Sequence, residues 1–212
     1  MSPEARRRSQ LALLAAPVVW IGLIGTIALL ASPDPQELSE DVAVLVDREI
    51  LVIGDALVGD AEAQILTVLA GTDLRIDATA GRPLARGLEI DGALVLDDLE
   101  AEPPEILVVA LARNDLGDAE HEDAVAETMD TFSDSCMVWV TGTPAEGATM
   151  AAVNDVIRRQ AGTRAHVHVA DWAEAVSDQG PAWFNPGTAS LTDDGRWGLA
   201  RTIASQIVAD CL

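Results

Sequence analysis

The chain of 212 residues is long enough for one core-bearing domain and an appendage. Its 35 acidic side chains against 13 basic ones give a formal charge of −22, which opposes binding to nucleic acid phosphates and to anionic lipid headgroups. It has no glycine-rich phosphate loop, no Cys-x-x-Cys pair and no internal repeat, and nothing in it calls for a cofactor.

In chain order, residues 1–10 carry Arg6, Arg7 and Arg8, and residues 11–31, Leu11 to Ala31, form an uncharged apolar stretch. Twenty-one such residues suffice to cross roughly 30 Å of hydrocarbon as a helix. With Asp34, Glu37, Glu40 and Asp41 on the far side, the asymmetry predicts a cytoplasmic N-terminus, a single-pass signal anchor in the cell membrane over 11–31, and an extracytoplasmic remainder. A cleaved signal peptide is the competing reading, but Leu29 stands where a small residue belongs before a cleavage after Ala31. Residues 32–47 read as an acidic stem that opens with Ser32-Pro33-Asp34-Pro35, where proline stops a helix. Setting aside Glu4 and the three arginines leaves 34 acidic and 10 basic side chains beyond the anchor, a net −24.

Residues 48–212 alternate strand-like and helix-like segments. Strands are predicted over Ile50–Ile53, Leu74–Asp77, Ile106–Leu111, Met137–Thr141 and His166–Ala170. Four are rich in Val, Ile and Leu without clear alternation, as parallel strands covered on both faces require. Helical spacing marks Asp60–Ala70, Pro83–Leu99, Asp118–Phe132, Thr149–Gln160 and a last helix from Asp193 to about Ala209. The order predicts a three-layer α/β/α sandwich around a parallel five-stranded sheet. In the fifth strand His166 and His168 are expected to face one way and Val167 and Val169 the other, on an edge with a wetter face. Two histidines on a strand followed by Asp171 are weak grounds for a metal site, and none is assigned. Cys136 and Cys211 would be buried thiols in a cytosolic protein; outside the membrane they are expected to form a disulfide.

In open α/β sheets ligands sit beyond the carboxyl ends of the strands. Gly54-Asp55-Ala56-Leu57 follows the first strand, Ala80-Gly81-Arg82 the second and Arg113-Asn114-Asp115 the third. Further along stand Asn154 before Ile157-Arg158, the pair Asp171-Trp172, and Leu191-Thr192-Asp193-Asp194-Gly195 before the last helix. Over residues 48–210 this series resembles the SGNH (GDSL) hydrolases, most closely the domains associated with extracytoplasmic bacterial acyltransferases and esterases. The resemblance implies a flavodoxin-like fold. It also implies an oxyanion hole made of the Ala56 and Gly81 backbone amides and the Asn114 side chain, with Asp55 beside it. Arg82 and Arg113 either add charge to the pocket or cover strand ends.

The catalytic groups that the resemblance calls for are replaced. The nucleophile position holds Ala56, which can neither attack a carbonyl nor carry an acyl group. The base position, just before Leu191, holds Ser190, and the orienting carboxylate falls on Gly187, or on Pro186 with one inserted residue. His121, among Glu120, Glu122 and Asp123, reads as part of a solvated helix face, and Asp193 and Asp194 as an N-cap and a first-turn charge. The expected protein is a non-catalytic SGNH-like pseudo-hydrolase that binds an acyl or glycan ligand of the cell envelope or serves as an interaction domain for a membrane protein. The alternative is an esterase or O-acyltransferase of envelope polysaccharide or peptidoglycan with displaced catalytic residues.

Overall fold

In the computed structural model the described residues are 42–85, 87–115, 120–143 and 148–212. The anchor over 11–31 and most of the stem lie outside them. Among the described residues no helix is long and apolar enough to cross a membrane.

Five parallel strands form one sheet: β1 (Glu49–Gly54), β2 (Asp73–Ala78), β3 (Ile106–Ala110), β4 (Cys136–Val140) and β5 (Val167–Ala170), in the order β2-β1-β3-β4-β5. The central strands β1, β3 and β4 are buried almost throughout, which explains their unbroken apolar character. Between and after the strands run α1 (Ala56–Val68), α2 (Gly92–Asp97), α3 (His121–Thr131), α4 (Ala148–Ala161), α5 (Trp172–Gln179) and α6 (Asp193–Asp210). Alternation along each strand divides the core. Ile50, Val52, Ile106, Val108 and Val138 face α1, α5 and α6, while Leu51, Ile53, Leu107, Val109, Met137 and Trp139 face α2, α3 and α4. This is the expected three-layer α/β/α sandwich.

Where expectation and structure part, local chemistry accounts for it. The segment Pro83–Leu99 is helical only over Gly92–Asp97, because Gly87 takes a φ of +72° and Asp91 accepts the Leu88 N–H instead of continuing a helix. The fourth helix runs from Ala148 to Ala161, one residue beyond the expected Thr149–Gln160 at each end, whereas Asp118 lies outside the described residues. Helix α5 was not anticipated: at eight residues, Trp172–Gln179, it is shorter than the stretch over which helical periodicity can be read. Thr192, not Asp193, caps α6, its Oγ1 accepting the Gly195 N–H at 3.2 Å.

Strand β5 is an edge, as expected, but its two histidines diverge. His166, just outside the strand, lies 2.8 Å from the Met129 carbonyl on α3, while His168 approaches Asp210 at the end of α6 in the opposite layer. Among the described residues no group of three metal-ligating side chains occurs. His121 is buried at the start of α3, not solvated; its first-turn acidic neighbours face outward while its ring turns in. Cys136 and Cys211 form a disulfide with Cα atoms 5.6 Å apart, joining the start of β4 to the end of α6.

Candidate functional site

The residues after β1 are shaped by a tight strand-to-helix turn. A side chain at Gly54 would place its Cβ 2.3 Å from Val58 Cγ2, so glycine is required where α1 folds back against β1. Asp55 then caps α1, its Oδ1 accepting the Leu57 N–H at 2.9 Å. Its Oδ2 accepts the Asn114 side-chain amide at 3.0 Å, and the same Nδ2 donates to the Arg82 carbonyl at 2.9 Å. One chain of hydrogen bonds thus ties together the loops after β1, β2 and β3. Burial raises the proton affinity of the Asp55 carboxyl above that of an ordinary carboxylate; the Leu57 N–H, the Arg113 charge and the Asn114 amide offset only part of this.

The sequence-predicted site residues do not all converge. Ala56 is exposed at the first position of α1, and Gly81, with φ +80°, stands in open space in the β2–α2 connection. Asn114 spends both amide hydrogens on Asp55 and Arg82, which leaves them aimed at protein acceptors. Arg82 is buried: its guanidinium donates to the Ile90 and Asp77 carbonyls, the Asp77 carboxylate and Thr79 Oγ1, at 2.9 to 3.1 Å. That is a loop clamp, with four of its five N–H groups engaged within the protein. Asp115, which sequence reasoning passed over, is buried too, both its oxygens accepting the Leu84 N–H.

Beyond the carboxyl ends of β3 and β4 opens a cavity of about 660 Å³, within the range of small-molecule sites. Asp55 and Leu57 form one wall; Ala110, Ala112 and Arg113 follow β3; Val140, Thr141, Gly142 and Thr143 follow β4. Val176 of α5 and residues 184–189 close the remaining side. Ala56, Gly81 and Asn114 do not line it.

Its walls are held firmly. Asn154 brackets Gly142, accepting its N–H at 2.7 Å and donating to its carbonyl at 2.9 Å. Thr141 Oγ1 donates to Asp171 and accepts the Ala173 N–H. Asp171 in turn receives a two-pronged contact from Arg158, Nε at 2.8 Å and Nη2 at 2.9 Å. Across the cavity, Phe184 and Leu191 form an antiparallel bridge around the 185–190 loop, and the Leu191 N–H donates to Asp60 of α1. Trp183 stacks on buried Trp172 with centroids 5.1 Å apart, and its ring and carbonyl lie so close to Gly198 and Gly195 that neither could bear a side chain undisturbed. Ser190, at the base position, meets Asn185 and Thr188 only through hydroxyl and amide contacts.

Burial alone would raise the Asp171 carboxyl, but the Arg158 fork, the Glu174 N–H and Thr141 outweigh it and hold it below the usual range. A depressed folded-state value stabilises the fold above the unfolded value and loses that contribution as pH falls through the folded one. Wild-type stability is therefore expected to drop more steeply than that of Asp171→Asn between about pH 5 and 3, measured by urea midpoints across pH. Parallel profiles would contradict the assignment.

No protein-family model and no curated protein matches the chain. Solved structures do match. The C-terminal catalytic domain of peptidoglycan O-acetyltransferase A from Streptococcus pneumoniae superposes with a TM-score of 0.62 at 18% identity, over 78% of this chain and 95% of that one. A family 3 carbohydrate esterase from Clostridium thermocellum gives 0.58 at 12% identity over 78% and 97%, and the esterase EstA from Pseudoalteromonas sp. 0.54 at 14% over 76% and 97%. The architecture is that of esterase-type α/β/α domains. More narrowly, it is an SGNH hydrolase-like fold.

Proposed function

We propose that the chain is a non-catalytic, membrane-anchored, extracytoplasmic protein of this fold whose cavity takes an acyl or glycan group of the cell envelope, or whose domain engages a membrane protein. One observation carries the reading: at the three positions where an acyl-transferring site needs nucleophile, base and orienting carboxylate stand Ala56, Ser190 and Gly187 or Pro186. No histidine is placed to substitute. His166 and His168 contact Met129 and Asp210, away from the cavity, and His121 is buried in α3. The cavity beyond β3 and β4 supports binding, and the disulfide is in keeping with an oxidising compartment. Transfer of an acyl group is the activity of the similar O-acetyltransferase domain; here the grip would outlive the chemistry.

A site stripped of such a triad retains at most roughly 10³–10⁴-fold acceleration over water. Hydrolysis of p-nitrophenyl acetate by the purified protein is expected to match Asn114→Ala. Ala56→Ser alone is expected to remain unlabelled by a fluorophosphonate, since a serine without its base is no better than none. Turnover well above buffer and abolished by Asn114→Ala, or clean labelling of any wild-type serine, would establish the esterase or O-acyltransferase reading instead.

A further inference from the structure

Strand β2 is an edge of the sheet: β1 pairs with it on one side, and among the described residues no strand pairs on the other. The Asp73 N–H donates to the Arg48 carbonyl at 3.0 Å, and the Thr79 N–H to the Gly54 carbonyl at 3.1 Å. Successive residues of a strand turn their N–H and C=O groups to alternate sides, so Asp73, Arg75, Asp77 and Thr79 serve β1. The polar backbone groups of Leu74, Ile76 and Ala78 therefore face away from it. We propose that a second copy of this chain pairs there, its β2 antiparallel to this one about a two-fold axis at Ile76.

The charge pattern selects that register. About Ile76, Arg75 lies opposite Asp77 of the second copy and Asp77 opposite its Arg75, so opposite charges meet across the strands. On the other face Leu74 lies opposite Ala78 and Ile76 opposite itself; all are partly buried residues packed on the core. The outward N–H and C=O groups of these residues then find partners, which is what closes an edge. A centre at Arg75 would set that arginine against itself and Asp73 against Asp77. One at Asp77 would oppose two carboxylates. One at Leu74 would carry Ile76 and Ala78 past the start of the strand at Asp73. Within the chain Arg75 already meets Glu49, and Asp77 meets Arg82. The two side chains nonetheless keep 51% and 41% exposure, and a guanidinium with five N–H groups or a carboxylate with two oxygens can take a second partner. A groove lined by Arg75, Asp77 and the apolar Leu51, Ile76, Val95 and Leu99 opens beside these residues, so pairing also covers apolar surface. Repulsion between two chains of charge −22 is screened beyond about 8–10 Å, whereas the cross-strand pairs act at contact. Each copy presents the same residues, so the contact closes as a dimer. None of Leu74, Arg75, Ile76, Asp77 and Ala78 lines the cavity, and the inference is independent of what the cavity binds.

The test joins sedimentation equilibrium of the purified full-length protein, in detergent at matched solvent density, to oxidative cross-linking. Wild type is compared with Arg75→Glu for association, and Ile76→Cys with Leu74→Cys for cross-linking by copper phenanthroline. Urea unfolding verifies that each variant is folded. The wild type is expected to form a reversible dimer, and Arg75→Glu to weaken it at least about tenfold, because the attraction toward Asp77 becomes repulsion on both sides of the axis. Ile76→Cys should yield a disulfide-linked dimer, since residues directly opposite in a hydrogen-bonded pair have Cα atoms about 5.5 Å apart, within reach of such a bond. Leu74→Cys should yield none, because its counterpart lies opposite Ala78. A wild type that is monomeric at every loading concentration overturns the proposal, and so does a dimer as strong in Arg75→Glu, which would use another surface. Cross-linking of Leu74→Cys as readily as of Ile76→Cys overturns the register and the pairing argued from it.

Discussion

Replacing Cys136 and Cys211 together by serine is expected to lower the free energy of unfolding by about 4 kcal/mol, because the bridge closes a loop whose ends are 75 residues apart in sequence. That loss is a large share of the ~5–15 kcal/mol by which a domain is usually stable. The restraint acts chiefly on the unfolded chain, which loses the freedom to separate the start of β4 from the end of α6. Urea unfolding of the serine variant against oxidised wild type measures it directly, and dithiothreitol should reproduce the shift in the native chain. A difference below about 1 kcal/mol would mean that the contacts of α6 on the sheet already confine these ends.

Asp55→Ala is expected to cost about 2–4 kcal/mol. The cap of α1 accounts for about 1 kcal/mol, and a part-buried Asn114 amide deprived of its acceptor for about 1–3 kcal/mol more. Asp55→Asn should cost less than alanine, since it keeps an acceptor for the Leu57 N–H, yet it turns a second amide donor toward Asn114. The pH dependence has the opposite sign to that of Asp171. Burial raises the folded-state value of Asp55, so its contribution is intact at acid pH and diminishes as pH rises through the folded value. Urea midpoints near pH 7 for both variants decide the matter; an alanine variant as stable as wild type would remove Asp55 from the framework of the site.

The β-strands were legible because parallel strands buried on two faces need uninterrupted apolar residues, and Ile50–Ile53 and Ile106–Leu111 display them. The disulfide was legible from its being the sole cysteine pair in a domain read as extracytoplasmic. Helix α5 was not, because its stability comes from Trp172 stacking on Trp183 and from the Asp171 N-cap, both matters of tertiary placement. The opposite error befell Pro83–Leu99, where apolar spacing mimics a helix that the turn at Gly87 and Asp91 forbids. His121 shows how composition misleads: three acidic neighbours describe the outer face of α3 and say nothing of the inward one.

For the site, the motif blocks located the strand ends correctly but not the work their side chains do. Arg82 could be a ligand contact or a clamp on sequence grounds, and only its four internal acceptors identify it as a clamp. The cavity itself is assembled from five separate segments, so no local pattern announces it. Arg113 alone among the flagged cations lines it.

The bridge between Cys136 and Cys211 clasps the amino end of β4, whereas the cavity lies past its carboxyl end. The covalent clasp and the cavity are thereby lodged at opposite poles of one sheet. Drift in the loops that line the cavity leaves the clasp untouched, and so the scaffold can keep its shape while those loops change.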